Sequence, residues 1–388
     1  MVCLKRVLQA CLLTLTSTPL LRAASIHPLH AADPNRTVSH ELFTSLEELA
    51  RLVDVSYCVG GPGIQKPFDC LSHCKDLPGF ELITTWDTGP FFSDSSGYIA
   101  FSHGPGPGAK RIIVAFRGTY SLANTVVDLS AYPQAYEPYG DDEDDGAGAC
   151  ANCTVHAGFM ASWRNARRTV LYHVSAARAR YPEYRVEVVG HSLGGAVAAL
   201  AGVEMQRCGW TPRVTTFGEP KVGNSGFARF VDAVFELGGD GGDGERRFRR
   251  VTHVGDPVPL LPLREWGYAM HAGEVFVSKA ELAPEVADVV LCEGDRDVRC
   301  ISGAEDALTE RLLGRTDVVG PVRSGLRRRD QKVLSDALRM DGDEVRQSRI
   351  GLPWHLVPAK YRLWELFFAH RDYFLRLGLC VPGGDPTG

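Results

Sequence analysis

The stretch VEVVGHSLGGAVAAL, residues 186–200, decides how the rest of the chain is read. A run of β-branched residues ends in Gly-His-Ser-Leu-Gly-Gly and passes directly into alanine-rich sequence. The run is short and nearly continuously apolar, as expected of a strand buried on both faces. The small residues after it predict a helix. Two readings of the junction compete. It is a plain glycine-rich turn, or it is a sharp turn that lifts Ser192 towards a substrate. In the second reading Gly190 and Gly194 make room for a strained backbone, and Gly195 and Ala196 let the helix pack closely. The free N–H groups at the helix start then point at the reaction site, and the Leu193 N–H can bind an oxyanion beside Ser192.

A serine hydroxyl is a poor nucleophile unless a base takes its proton and a third group holds the base. After a strand–Ser–helix turn the acid and then the histidine follow in chain order. The best acid is Asp256 in RRVTHVGDPVPLLP, directly after an apolar strand and stiffened by Pro257. Asp232, in a helical stretch, and Glu219, in a strand-end turn, are weaker. Three later histidines, His271, His355 and His370, can supply the base, and chain order does not choose among them. His191, beside the nucleophile, points off the turn towards packing or the pocket wall.

Outward from this turn, strands and helices alternate. Residues 40–57 have helical spacing of Leu, Phe and Val. YIAFS and RIIVAF flank the turn signal HGPGPGAK. HAGFMASWRNARRTVLYHVSAARARYP predicts a long amphipathic helix that stops at Pro182. RVTTFGEP and FRRVTHVGDPVP read as two more strands ending in Gly and Pro. This alternation predicts an α/β domain with a mostly parallel sheet. A Gly/Asp-rich surface loop spans 237–247. Residues 303–357 form a polar, arginine-rich insertion with RRRDQKVLSDALRM as a surface helix. The tail 381–388 reads as disordered.

Residues 1–24 read as a signal peptide: a basic start, an apolar run too short and too polar to span a bilayer, and small residues near Ala23 and Ala24. Removing Lys5, Arg6 and Arg22 takes the net charge from −5 to −8. The clearest charge run, DDEDD at 141–145, is acidic, which argues against a nucleic-acid partner. No other segment is apolar enough for a permanent membrane anchor, so a secreted, extracellular protein is expected. Asn35 and Asn152 begin glycosylation acceptor triplets. Of eleven cysteines, Cys3 and Cys11 leave with the signal, and Cys70/Cys74, Cys150/Cys153 and Cys292/Cys300 form close pairs. Zinc is the competing use of paired cysteines, but no second clean pair or spaced histidines complete such a site.

With these residues in place the chain resembles the fungal class 3 lipase family, the filamentous-fungal triacylglycerol lipases and related feruloyl esterases. The resemblance covers roughly residues 40–300 and 355–382. It rests on VAFRGT (114–119), HAGFMASW (156–163), YPEYRVEVVGHSLGGAVAAL (181–200), FGEPKVGN (217–224), RVTHVGDPVPLLP (250–262) and REWGYAMHAGEVF (264–276). It implies one α/β-hydrolase domain over 25–380, with a lid and with the 303–357 insertion before the catalytic histidine. It also implies a Ser192–Asp256–His370 triad, because AHRDYFLRLGLC matches the family's histidine segment and GYAMH around His271 matches a non-triad one. Thr119, after Arg-Gly, is the implied second oxyanion donor beside Leu193. The implied disulfides are Cys58–Cys380, Cys70–Cys74, Cys150–Cys153 and Cys292–Cys300, leaving Cys208 buried and unpaired.

The lid matches YSLANTVVDLSAY, where Thr125 replaces the frequent tryptophan. Leu122, Val126 and Val127 still give it an apolar face, which leans towards lipase. FGEP and the Cys292–Cys300 loop lean towards feruloyl esterase. The expected enzyme is a monomeric triacylglycerol lipase acting on ester at a lipid–water interface, without metal or cofactor. The alternatives are a plant-cell-wall esterase and a catalytically silent secreted binding protein.

Overall fold

In the computed structural model the described residues are 36–89, 93–105, 109–119, 132–136, 150–238, 246–304 and 368–381. The expected signal peptide, the lid residues Leu122, Val126 and Val127, His355 and nearly all of the 303–357 insertion lie outside them. An eight-stranded sheet runs through the domain in the order β1-β2-β3-β6-β7-β9-β11-β12. Its strands are β1 (Phe80–Asp87), β2 (Ser96–His103), β3 (Lys110–Phe116), β6 (Arg185–His191), β7 (Arg213–Phe217), β9 (Phe248–His253), β11 (Glu274–Val277) and β12 (Val289–Leu291). The five from β3 to β11 pair in parallel, and β1, β2 and β12 are added antiparallel. A small antiparallel sheet joins β4 (Pro133–Ala135), β5 (Thr154–His156), β8 (Gly223–Asn224) and β10 (Tyr268–Ala269).

The apolar runs follow from burial on both faces. Along β3, Ile112, Val114 and Phe116 face one core while Ile113 and Ala115 face another. The first core is closed by α2 (Ala157–Arg180), α3 (Leu193–Arg207) and α4 (Ser225–Phe235). The second is closed by α1 (His40–Ser56) and by residues 373–380. Helix α3 is buried from Leu193 through Met205, which is why its sequence is small and apolar all round. A Cβ on Gly202 would come within 2.5 Å of the Val214 side chain.

Local signals set the helix ends. The Ser39 hydroxyl caps α1 by accepting from the Leu42 N–H, and the Asn224 side chain caps α4 at Phe227. The His156 ring caps α2 at Gly158. The disulfides Cys58–Cys380, Cys70–Cys74, Cys150–Cys153 and Cys292–Cys300 are all formed. Cys208 departs from expectation. It is free and exposed, because α3 ends at Arg207 and Cys208 is its C-cap, one step past the packed face. Among the described residues no helix is long and apolar enough to cross a membrane.

Candidate active site

Strand β6 delivers Ser192 to the C-terminal edge of the parallel strands. There the backbone turns at φ 58°, ψ −130° into α3, a conformation that costs a non-glycine residue about 1–3 kcal/mol. The neighbours enforce it. A Cβ on Gly190 would lie 2.2 Å from the Gly194 carbonyl oxygen, and one on Gly194 would lie 2.5 Å from that of Phe116. Ser192 holds the N-cap position of α3, yet its hydroxyl makes no capping bond. Serine at that position ordinarily satisfies an N–H of the first turn. Here the oxygen is buried, at 1% residue exposure, and has no hydrogen-bond partner among the described residues.

Asp256 lies three residues past the end of β9 and His370 lies in the segment 368–381, far apart in sequence. The structure brings them together. His370 Nδ1 is 3.0 and 2.9 Å from the two Asp256 carboxylate oxygens, and both residues are sealed from solvent. The Val258 N–H donates to Asp256 Oδ1 at 2.9 Å, and the Tyr373 hydroxyl donates to Oδ2 at 2.6 Å. Burial and the adjacent carboxylate push the Tyr373 phenol well above its ordinary pKa, so it remains a donor. The other imidazole nitrogen, His370 Nε2, is buried and has no hydrogen-bond partner among the described residues. A carboxylate on one side of an imidazole and an open nitrogen on the other is the arrangement of a poised general base.

A second carboxylate–imidazole pair is also buried. His271 Nε2 lies 3.1 Å from Glu219 Oε1. It cannot serve a nucleophile, because His271 Nδ1 already faces the Ala272 carbonyl at 2.7 Å. Both ring nitrogens are engaged. Thr216 donates to Glu219 at 2.7 Å, and Arg250 donates to the His271 carbonyl. Asp232, the other weaker acid, accepts from the Ala272 N–H at 2.8 Å.

His191 is buried beneath His370, with ring centroids 4.6 Å apart. The Tyr57 hydroxyl lies 2.6 Å from His191 Nδ1, and His191 Nε2 lies 2.8 Å from the His370 carbonyl oxygen. Burial raises the Tyr57 pKa, so Tyr57 donates. That fixes the His191 tautomer with its proton on Nε2, donating to His370. Burial, and secondarily His370, hold the His191 pKa well below its ordinary value. Gly218, at φ 57°, completes the wall: a Cβ there would sit 2.7 Å from His370 Cε1. Thr119 follows Gly118, whose added Cβ would lie 3.1 Å from Ser192 Cβ, so the Arg-Gly-Thr loop passes directly over the serine. Tyr373, Tyr57 and Gly218 were not legible as site residues. Each acts through a partner remote in sequence, and the only local hint was Tyr373 three residues after His370.

The sequence profile of the lipase (class 3) family matches residues 113–266. The chain is 48% identical over 381 residues to "Secreted mono- and diacylglycerol lipase 2" of Gibberella zeae, covering 93% of this chain and 87% of that one. It is 50% identical over 382 residues to "Lipase A" of Sodiomyces alcalophilus, with the same coverage. The chain belongs to the class 3 lipase family. Among solved structures, the Lip2 lipase of Yarrowia lipolytica superposes with a TM-score of 0.68 at 29% identity, over 89% of this chain and 97% of that one. The class 3 lipase therefore has the α/β-hydrolase fold, and Ser192, Leu193, Thr119 and Asp256 all lie within or at the edges of the span that the family profile matches.

Proposed function

We propose that this class 3 lipase is a secreted serine hydrolase that cleaves the carboxylic esters of acylglycerols through an acyl-enzyme. One observation carries the reading. Ser192 Oγ, at a strained strand–helix turn, and His370 Nε2 are both buried with no hydrogen-bond partner among the described residues, while Asp256 occupies the far side of the imidazole. Ser192 attacks the ester carbonyl and His370 Nε2 takes its proton. Asp256 orients the imidazole and stabilises the imidazolium that forms. The N–H groups of Leu193 and Thr119 receive the tetrahedral oxyanion, which a donor pair stabilises by several kcal/mol. His370 then returns the proton to the departing alcohol, and water repeats the sequence to release the fatty acid.

The substrate class follows from the relatives. The Gibberella zeae protein's name specifies mono- and diacylglycerols, and that name also supports secretion, as do the signal-like residues 1–24. We read residues 25–380 as one catalytic domain acting as a monomer at a lipid–water interface. The test is hydrolysis of emulsified mono-, di- and triacylglycerol beside methyl ferulate, by wild type, Ser192→Ala, His370→Ala and His271→Ala. Ser192→Ala and His370→Ala are expected to lose nearly all activity and His271→Ala to retain the chemistry. Full activity of Ser192→Ala overturns the mechanism. A clear preference for methyl ferulate replaces the lipase reading with the feruloyl esterase one.

A further inference from the structure

We propose that Asp54, in the last turn of α1, is a positioning residue for His370, and that the Cys70–Cys74 loop serves it. The inference rests on the reading of His370 as the general base. Among the described residues, His370 sits in a turn directly after the helical residues 368 and 369. Its segment is held together by its own turns: Arg371 and Asp372 N–H groups donate to the Phe368 carbonyl, and the Leu377 N–H donates to that of Arg371. Tethers to the body of the protein fix its place.

Besides the bonds of His370 and Tyr373 to Asp256, several tethers converge on one helical turn. Tyr57, just past α1, bonds His191, which in turn donates to the His370 carbonyl. Asp54, three residues earlier, holds the other end. Its Oδ1 accepts from the Gly378 N–H at 2.7 Å and the Leu379 N–H at 3.4 Å. The next residue, Cys380, is bonded to Cys58. Asp54 Oδ2 accepts from the Ser72 hydroxyl. Ser72 is brought there by a five-residue loop that the Cys70–Cys74 disulfide closes.

The location of Asp54 is otherwise unfavourable. A carboxylate in the last turn opposes the helix dipole. Asp54 is 0% exposed, and among the described residues no Lys or Arg forms an ion pair with it. A buried anion costs several kcal/mol unless directed donors replace its water. Two backbone N–H groups of the histidine segment and one serine hydroxyl supply that replacement. The carboxylate thus turns the 378–379 backbone into a fixed joint.

The experiment compares kcat and KM on a soluble short-chain aryl ester, well below each variant's melting midpoint. Asp54→Ala frees the joint, and kcat is expected to fall about tenfold to a hundredfold with KM unchanged. Asp54→Asn keeps an oxygen for the two backbone N–H groups and an N–H for Ser72 Oγ, so it is expected to rescue most of kcat. Ser72→Ala removes one of the three bonds, falls between them, and keeps the proposal testable if Asp54→Ala does not fold. Wild-type kcat in folded Asp54→Ala, beside an inactive His370→Ala, overturns the positioning role alone. So does a loss of activity in Ser72→Ala or Asp54→Ala that appears only as a raised KM. An active His370→Ala overturns the base assignment itself.

Discussion

Ser192 and His191 are neighbours in opposite states: the Ser192 hydroxyl has no hydrogen-bond partner among the described residues, and both ring nitrogens of His191 are engaged. Ser192 could be singled out as the candidate nucleophile, because Gly-His-Ser-Leu-Gly between a β-rich run and a small-residue helix has few other physical uses. Asp256 could be singled out as the candidate acid from its place after an apolar strand. His370 was not separable from His271 by the residues alone, and its choice as candidate base rested on the resemblance. The physical reason appears only in three dimensions, where both nitrogens of His271 are engaged. Two predictions belong at this scale. Tyr373→Phe removes one donor from Asp256. A bond to a charged group contributes about 1.5–3 kcal/mol, so kcat should fall roughly tenfold or more without a change in KM. The second concerns pH. Burial depresses the pKa of both His191 and His253, while the unfolded chain protonates them near the ordinary value of about 6.5. Below that value the unfolded state binds more protons, so stability falls as pH falls. Chemical denaturation between mildly acidic and neutral pH should show this slope. His191→Asn should reduce it by at most one proton, about 1.4 kcal/mol per pH unit.

At the scale of elements, long periodic segments were readable and very short strands were not. The α2 helix ends before Pro182 as expected, and β6 is the continuous apolar run that burial on both faces demands. The small sheet was invisible because β8 and β10 have two residues each, too few to show any alternation. Cys208 was misplaced by the same limit of resolution, since helix periodicity gives a face but not the residue at which the helix ends. The turn between β6 and α3 makes a sharp prediction. Gly194→Ala would drive a Cβ to 2.5–2.6 Å from the carbonyl oxygens of Phe116 and Arg117. These are backbone atoms of β3 and its exit, which cannot swing aside. The expected loss is about 1–3 kcal/mol or more, read as a lower melting midpoint, together with loss of esterase activity. Gly63→Ala, where an added Cβ meets nothing within 4 Å but φ is positive, should lower the midpoint by a smaller amount and leave kcat unchanged.

Across the whole molecule, strand order and the pairing of distant cysteines were beyond local reading. Spacing suggested three close pairs, whereas Cys58–Cys380 came only from the resemblance, because 322 residues separate the two sulfurs. Closing so long a loop removes much freedom from the unfolded chain, on the order of 5 kcal/mol in the chain-entropy view. Replacing both Cys58 and Cys380 by Ser should therefore lower the melting midpoint strongly, and more than replacing Cys292 and Cys300, whose loop has a separation of eight. The same bond has a consequence for timing. Synthesis lays down the nucleophile long before the histidine segment, and that segment gains its covalent tie only when Cys380 meets Cys58 in an oxidising compartment. The covalent closure of the histidine segment is therefore a late step of assembly, after Ser192 and Asp256 have both been made.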